Sequence, residues 1–153
     1  MAIQFRGRFE TKMDPKGRLS LPSSFRQNLP SRSEPLVVTN GQFKGQRCLD
    51  VYSLTQWEAL EARIQKLSPL KAEVQAFQRF YLAAGQVVEI DSQGRVITPQ
   101  TLRQYAGLET ELVLVGMGTK FEIWSAVTWN QLYSSLSQNF DDTLSAVASL
   151  ELE

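Results

Sequence analysis

The chain contains the same segment twice, and this internal repeat constrains its fold more than any other feature of the sequence. Residues 14–27 (DPKGRLSLPSSFRQ) match residues 91–104 (DSQGRVITPQTLRQ), and residues 49–60 (LDVYSLTQWEAL) match residues 121–132 (FEIWSAVTWNQL). The matches occur in the same order in both halves. The sequence therefore predicts two copies of a unit of roughly 50–60 residues, because a repeated sequence marks a repeated structural unit.

Each copy predicts the order strand, tight turn, strand, short helix, strand, loop, strand, helix. The turn is the best-specified part. Asp14, Pro15 and Gly17 occupy the positions that a type I turn favours. Gly17 and its counterpart Gly94 can adopt the positive φ that a hairpin with a bulge requires. Asp14 and Asp91 are expected to accept hydrogen bonds from amides of the turns, so all four residues are predicted to shape them.

The repeat divides the chain into four segments: a first repeat (5–66), a bridging helix (67–85), a second repeat (86–137) and an acidic tail (138–153). Pro69 is typical of a helix start and Gly85 of a helix end. Apolar residues between them recur every three or four positions, as on one face of a helix. The tail is rich in serine and acidic residues, and we expect it to be disordered after about Asp141.

Composition removes most catalytic chemistry. The chain has no histidine, which excludes the Ser-His-Asp triad and most transition-metal sites. Its single cysteine, Cys48, cannot form an intrachain disulfide or a cysteine-only zinc site, and we expect it to be a buried core residue. Asp14 and Asp91 could act as paired carboxylates, but the turns already account for them. We predict no catalysis, no metal and no cofactor.

Charge is distributed unevenly along a chain whose formal net charge is zero. Residues 1–40 hold seven Lys/Arg and three acids, whereas residues 134–153 hold four acids and no Lys/Arg. Such asymmetry can mark an anionic partner at one end, although an ordinary mixed surface gives the same counts. The sequence has neither a signal peptide nor an apolar run long enough for a membrane span, so we expect a cytoplasmic protein.

Basic residues lie at and beside both predicted turns. The candidate DNA contacts are Lys12, Lys16, Arg18 and Arg95, with Arg26 assigned to the first turn and Arg103 to the second. Arginine can fork onto guanine edges or phosphates, and a β-ribbon fits the major groove. In the alternative interpretation Arg18 and Arg95 pair with the turn aspartates and only lock the turns. Both interpretations hold if each aspartate orients an arginine that reads DNA.

Five motifs occur in the order typical of the MraZ family of bacterial transcriptional regulators, which the chain resembles over about residues 5–133. They are FRG (5–7), DPKGRLSLP (14–22), AFQRF (76–80), DSQGRV (91–96) and FEIW (121–124). The resemblance implies an α+β, mainly β fold. In it, two tandem AbrB-like swapped-hairpin (double-split β-α-β) barrel units form an intramolecular pseudo-dimer with bridging helices.

The same resemblance implies a regulator that binds double-stranded DNA as a homo-oligomeric ring, associated with the nucleoid. Its operator would be direct repeats upstream of the division and cell-wall gene cluster. The DNA-contacting arginine of the family falls on Arg18, and its counterpart falls on Arg95. The chain departs from the family where Gln93 replaces the basic residue that Lys16 supplies, which predicts unequal contributions from the two copies. The alternatives are a non-catalytic self-assembling structural protein and, third, a weak nuclease or other enzyme.

Overall fold

Both copies of the repeat form the predicted order of elements. The structure is a computed structural model that describes residues 4–151, so three residues of the N-terminal segment and two of the acidic tail lie outside it. The first copy comprises β1 (Arg8–Lys12), β2 (Arg18–Ser20), α1 (Ser23–Gln27), β3 (Leu36–Phe43), β4 (Gln46–Ser53) and α2 (Leu54–Gln65). The second comprises β5 (Gln86–Val88), β6 (Arg95–Ile97), α4 (Gln100–Ala106), β7 (Glu111–Gly116), β8 (Phe121–Ser125) and α5 (Ala126–Gln138).

The two copies exchange strands. A six-stranded sheet has the order β1-β7-β8-β4-β3-β5, and a separate two-stranded ribbon joins β2 to β6. The first strand of each copy therefore pairs with the third strand of the other, β1 with β7 and β5 with β3, both antiparallel. Strands β4 and β8 meet in the middle of the sheet. The result is a mostly-β α+β fold in which neither copy completes its sheet alone.

The main core lies between the six-stranded sheet and the ribbon, and it draws on both copies. Phe25 of α1 packs against Phe5 and Phe121, with ring centroids 5.3 and 4.8 Å away. Leu19 of β2 and Val96 of β6 are directly opposite each other and point into this core. Because these two residues are buried, the other face of the ribbon must point outward.

The bridging segment is helical over a shorter range than predicted. Helix α3 (Ala72–Phe77) continues directly into a π-helical turn (Gln78–Leu82). Tyr81 of this turn stacks against Trp57 of α2, and its hydroxyl lies 2.6 Å from that of Tyr52 in β4. These contacts attach the bridge to the outer face of the sheet.

The end of the chain differs from the expectation. Helix α6 (Phe140–Glu151) replaces the disordered tail predicted after Asp141. Its Phe140, Leu144 and Val147 are spaced as one helical face, and all three are exposed. Cys48 is fully buried, as predicted. None of the helices within residues 4–151 is long and apolar enough to cross a lipid bilayer.

Candidate nucleic-acid interface

The first turn is closed by the carboxylate of Asp14. Its Oδ1 accepts hydrogen bonds from the backbone N–H groups of Lys16 and Arg18, both at 2.9 Å. The N–H of Gly17 donates to the carbonyl of Asp14 at 2.9 Å. Gly17 has φ +87°, a conformation that side chains with a Cβ adopt at a cost. The spacing of aspartate, glycine and arginine thus fixes the backbone of this turn.

The second turn repeats the first bond for bond. Oδ1 of Asp91 accepts hydrogen bonds from the N–H groups of Gln93 at 2.8 Å and Arg95 at 2.9 Å. Gly94 has φ +78° and donates to the carbonyl of Asp91 at 3.0 Å. The backbone therefore presents Gln93 and Lys16 in equivalent positions with different charges.

In each turn the aspartate also holds the arginine that follows the glycine. Arg18 Nε donates to Asp14 Oδ2 at 2.6 Å, and Arg95 Nε donates to Asp91 Oδ2 at 3.2 Å. Hydrogen bonds from the backbone N–H groups of Arg18 and Arg95 hold the pKa values of Asp14 and Asp91 below the usual 3.8. Among residues 4–151, the terminal guanidinium nitrogens of both arginines have no hydrogen-bond partner. Each guanidinium is thus oriented by the bond from its Nε to the aspartate, and its two terminal nitrogens remain free to donate to another group.

The ribbon places the two arginines on one exposed face. In the β2–β6 register Arg18 is opposite Ile97, and Ser20 is opposite Arg95. Residues opposite each other in a sheet share a face, as do residues two apart in a strand. We call these four outward residues the arginine face. Arg18 and Arg95 are diagonal neighbours on it.

The turns are also bonded to the opposite copy. The N–H of Leu21 donates to the carbonyl of Gly94 at 3.0 Å, and the N–H of Thr98 donates to the carbonyl of Gly17 at 2.9 Å. The buried hydroxyl of Thr98 gives that carbonyl a second hydrogen bond at 3.0 Å. Each glycine is therefore anchored by the other copy, which makes the arginine face a joint product of both.

The two candidate lysines occupy different surroundings. Lys16 is exposed at the first turn, beside the arginine face. Lys12 is also exposed, but it ends β1 and is opposite Glu111 of β7 in the sheet register. The structure therefore groups Lys16 with Arg18 and Arg95, and it places Lys12 on the main sheet beside an acidic residue.

Each short helix places its arginine on the turn of the other copy. This corrects the sequence-based assignment of Arg26 to the first turn and Arg103 to the second. A Cβ at Gly94 would lie 2.9 Å from Cζ of Arg26, and a Cβ at Gly17 would lie 2.7 Å from Cζ of Arg103. Arg26 of α1 therefore packs on the second turn, and Arg103 of α4 packs on the first. The reason is the exchange of strands, which brings each short helix next to the turn of the other copy.

A family model described as "MraZ protein, putative antitoxin-like" matches residues 4–80 and again residues 81–148. The chain belongs to the MraZ family. Its two matched ranges fall on the two copies of the repeat, and the boundary between them lies within the π-helical turn, between Phe80 and Tyr81. MraZ is a family of transcriptional regulators, so the chain is not an enzyme.

Curated MraZ relatives cover nearly the whole chain. A protein of Lactiplantibacillus plantarum named "Transcriptional regulator MraZ" is 41% identical over 138 residues, which is 90% of this chain and 94% of that protein. Proteins with the same name from Acetivibrio thermocellus and a Thermoanaerobacter species are 38% and 37% identical. These matches cover 93% and 89% of this chain and 91% of each relative.

This MraZ-family chain also contains a polar cluster that sequence reasoning missed. Asp50 of β4 and Glu122 of β8 are directly opposite each other at the centre of the sheet. Lys120 Nζ lies 2.8 Å from Asp50 Oδ2 and 4.0 Å from Glu122 Oε2. The signal was available, because both acids occupy the same repeat position inside apolar strands (LDVY and FEIW).

The side chains of this cluster are of the types that bind metal ions, but their pKa shifts and the charge of Lys120 favour a structural role. Potential ligand atoms of Cys48, Asp50 and Glu122 lie within 4.8 Å of one another. Burial raises the pKa of the Cys48 thiol and that of the Glu122 carboxyl, so the thiolate that a metal prefers is disfavoured. Lys120 already supplies a positive charge between the carboxylates. This arrangement links the two copies at the centre of the sheet.

Proposed function

We propose that the protein is a sequence-specific DNA-binding transcriptional regulator that reads DNA with the arginine face. The observation that carries this proposal is the pair of arginines on a two-stranded ribbon, each held by an aspartate through Nε and free at its terminal nitrogens. Its operator would be direct repeats upstream of the division and cell-wall gene cluster, which would associate the protein with the nucleoid.

The geometry supplies a mechanism for reading bases. The terminal nitrogens of Arg18 and Arg95 can donate to guanine O6 and N7, the commonest specific contact in the major groove. Asp14 and Asp91 stay ionised at neutral pH, since their pKa values are lowered. The aspartates therefore restrict the arginines before DNA arrives, which reduces the entropy lost on binding. Locking the turn and reading DNA are compatible roles for the same side chain.

We further propose that the subunits form a closed ring and that the exchanged strands constitute the family's swapped-hairpin barrel. One subunit has no net charge, so several arginine faces are needed for a strong electrostatic hold on DNA. The two copies differ in their apolar residues, for example Tyr52 against Trp124. A contact between copy one of one subunit and copy two of the next is head-to-tail, and such contacts close into rings or continue as filaments.

Replacing Arg18 by Ala tests the proposal. The assay is a mobility shift with the purified chain and a duplex carrying two operator repeats, with a scrambled duplex as reference. Removing one bidentate arginine–guanine pair should weaken specific binding by about 1–3 kcal/mol per subunit, and multivalency increases the effect. Arg63→Ala, at an exposed position on α2, is the matched control. If Arg18 only locks the turn, the variant will melt early and bind DNA normally per folded molecule.

The unequal turns give a second test of the same function. Lys16→Ala should flatten the plot of log affinity against log salt concentration by roughly 0.9 for each phosphate that the lysine no longer neutralises. Gln93→Ala, at the equivalent position of the second turn, should leave that slope unchanged. Equal slopes for the two variants would refute the assigned role of Lys16.

A non-catalytic self-assembling structural protein is the second candidate function. It is favoured by the exposed apolar residues on α6, namely Phe140, Leu144, Val147 and Leu150. This candidate predicts a discrete oligomer by light scattering and no salt-dependent binding to the operator duplex. A regulator predicts both the oligomer and the binding, so the two measurements together distinguish the candidates.

A further inference from the structure

A cleft of about 910 Å³ lies beside the second turn. It is bounded by α1, by the connection of residues 28–35 and by the turn itself. Its lining includes two arginines, which only donate hydrogen bonds, and four serines, which can donate them: Arg26, Arg32, Ser23, Ser31, Ser33 and Ser92. Donors and cationic groups converging on one open cleft are what an anionic oxygen ligand requires.

Arg26 is one of the two arginines that line this cleft. Its guanidinium packs on the backbone of the second turn, where Cζ and Nε would each lie 2.9 Å from a Cβ on Gly94. The residue is exposed, and its side chain forms no hydrogen bond or ion pair with any residue from 4 to 151. The contact with Gly94 fixes the position of the guanidinium without using its donors. Arg26 is therefore held against the second turn by packing, and no carboxylate within residues 4–151 forms an ion pair with it.

The one carboxylate in the lining does not neutralise the cleft. Asp91 accepts two backbone N–H bonds at Oδ1 and the Nε–H of Arg95 at Oδ2. Its charge is thus paired with Arg95 on the arginine face. Arg26 and Arg32 leave an excess of positive charge inside the cleft.

The first turn has a different environment. Arg103 packs on Gly17, but it is half-buried and its Nε has no hydrogen-bond partner within the described residues. The connection after α4 spans only residues 107–110, whereas the one after α1 spans residues 28–35. The longer connection is the one that brings Arg32 towards the second turn. The first turn has Lys16 instead, at the position where the second has Gln93.

We infer that the cleft is a phosphate-binding site for the DNA backbone, in which Arg26 and Arg32 of the first copy serve the second turn. These residues would replace the lysine that the second turn lacks. This inference rests on the proposed DNA-binding function and adds to it a phosphate contact outside the arginine face. Phosphate contacts position a protein on the duplex, whereas the arginine face would specify the bases.

The test measures affinity of the full chain for the operator duplex at several salt concentrations. Arg26→Ala and Arg32→Ala should each flatten the log–log salt slope by roughly 0.9 per subunit bound, and should weaken binding to specific and scrambled duplexes by the same factor. Arg26→Lys should keep the slope, because lysine preserves the charge. Arg63→Ala on α2 is the control and should change neither quantity. None of the three atoms nearest to a Cβ at Gly17 or Gly94 belongs to Arg32, so its variant remains informative if Arg26→Ala unfolds.

Each outcome separates the phosphate site from the function on which it rests. A wild-type chain that binds no DNA would refute the proposed function itself. If the wild type binds while both alanine variants keep its slope, then the cleft holds no phosphate and Arg26 only supports the turn. The cleft could instead bind free phosphate. In that case inorganic phosphate would protect Arg26 and Arg32 from reagents that modify guanidinium groups, while the salt slope for DNA would not depend on either arginine. That result would overturn the assignment to DNA.

Discussion

Lys120 should be worth about 3 kcal/mol of unfolding free energy, because it is the only cation within 4.0 Å of two buried carboxylates in the described part of the chain. The Asp50 side chain is 4% exposed and that of Glu122 is 12% exposed. Breaking a buried ion pair by removing one partner costs roughly 3–5 kcal/mol. We expect the lower end for Lys120→Met, since the Lys120 side chain is 26% exposed and water can partly replace it.

Urea unfolding at pH 7 and a fixed protein concentration measures this decrease in stability. The matched background is Asp50→Asn with Glu122→Gln, in which both carboxylates are neutral. There Lys120→Met should cost less than about 1 kcal/mol, because no buried charge is left unpaired. An equal decrease in the two backgrounds would show that Lys120 stabilises the fold by packing and would refute the electrostatic reasoning.

Two further substitutions test the same structure. Burial raises the pKa of the Glu122 carboxyl above 4.5, so folding favours the protonated form of this group. The stability that protonated Glu122 contributes is therefore present below pH 4.5 and is lost as pH rises through the folded-state pKa. Glu122→Gln keeps an acceptor for Trp124 Nε1 and should exceed the wild type in urea midpoint at pH 7 but not at pH 4; a constant difference would contradict this. Gly17→Ala and Gly45→Ala both place a Cβ at positive φ, but only the first meets a neighbour, the Arg103 guanidinium. Because the Arg103 guanidinium has to move to make room, Gly17→Ala should melt at a lower temperature than Gly45→Ala. Similar melting temperatures would show that the contact between Arg103 and Gly17 contributes little to stability.

The sequence predicts the order of elements because each element is determined by interactions between residues close together in the sequence. Asp14 and Gly17 determine a turn through hydrogen bonds within five residues, and the same pattern recurs at Asp91 and Gly94. The repeated serines also act locally, since Ser53 caps α2 and Ser125 caps α5.

The pairing of strands is not local, and residue chemistry alone does not predict it. A strand with one apolar face can pair within its own copy or with the other copy, and the alternation of side chains is identical in both cases. The wrong assignment of Arg26 follows from this ambiguity. Its neighbours in the sequence suggest that Arg26 lies at the first turn, but the exchange of strands places it at the second turn. Only the family resemblance implied a swapped arrangement.

Helix α6 contradicts the predicted disorder for a different reason. The serines and acidic residues of the tail are typical of disordered termini and predict disorder, whereas the spacing of Phe140, Leu144 and Val147 predicts a helix. These three residues recur at intervals of four and three, the period of a helix with one apolar face. Their exposure in the structure explains why composition was misleading, since the helix buries none of its residues.

The exchange of strands has a consequence for how the two turns can differ. Each turn glycine is bonded through its carbonyl to the other copy, Gly17 to Thr98 and Gly94 to Leu21. Each also packs under an arginine from the other copy. A substitution in one copy therefore alters the surroundings of both turns, and a single copy would lack the partner strands for its own ribbon and sheet. Unequal charge at the turns must then arise at positions that the exchange leaves exposed, and Lys16 and Gln93 are such a pair.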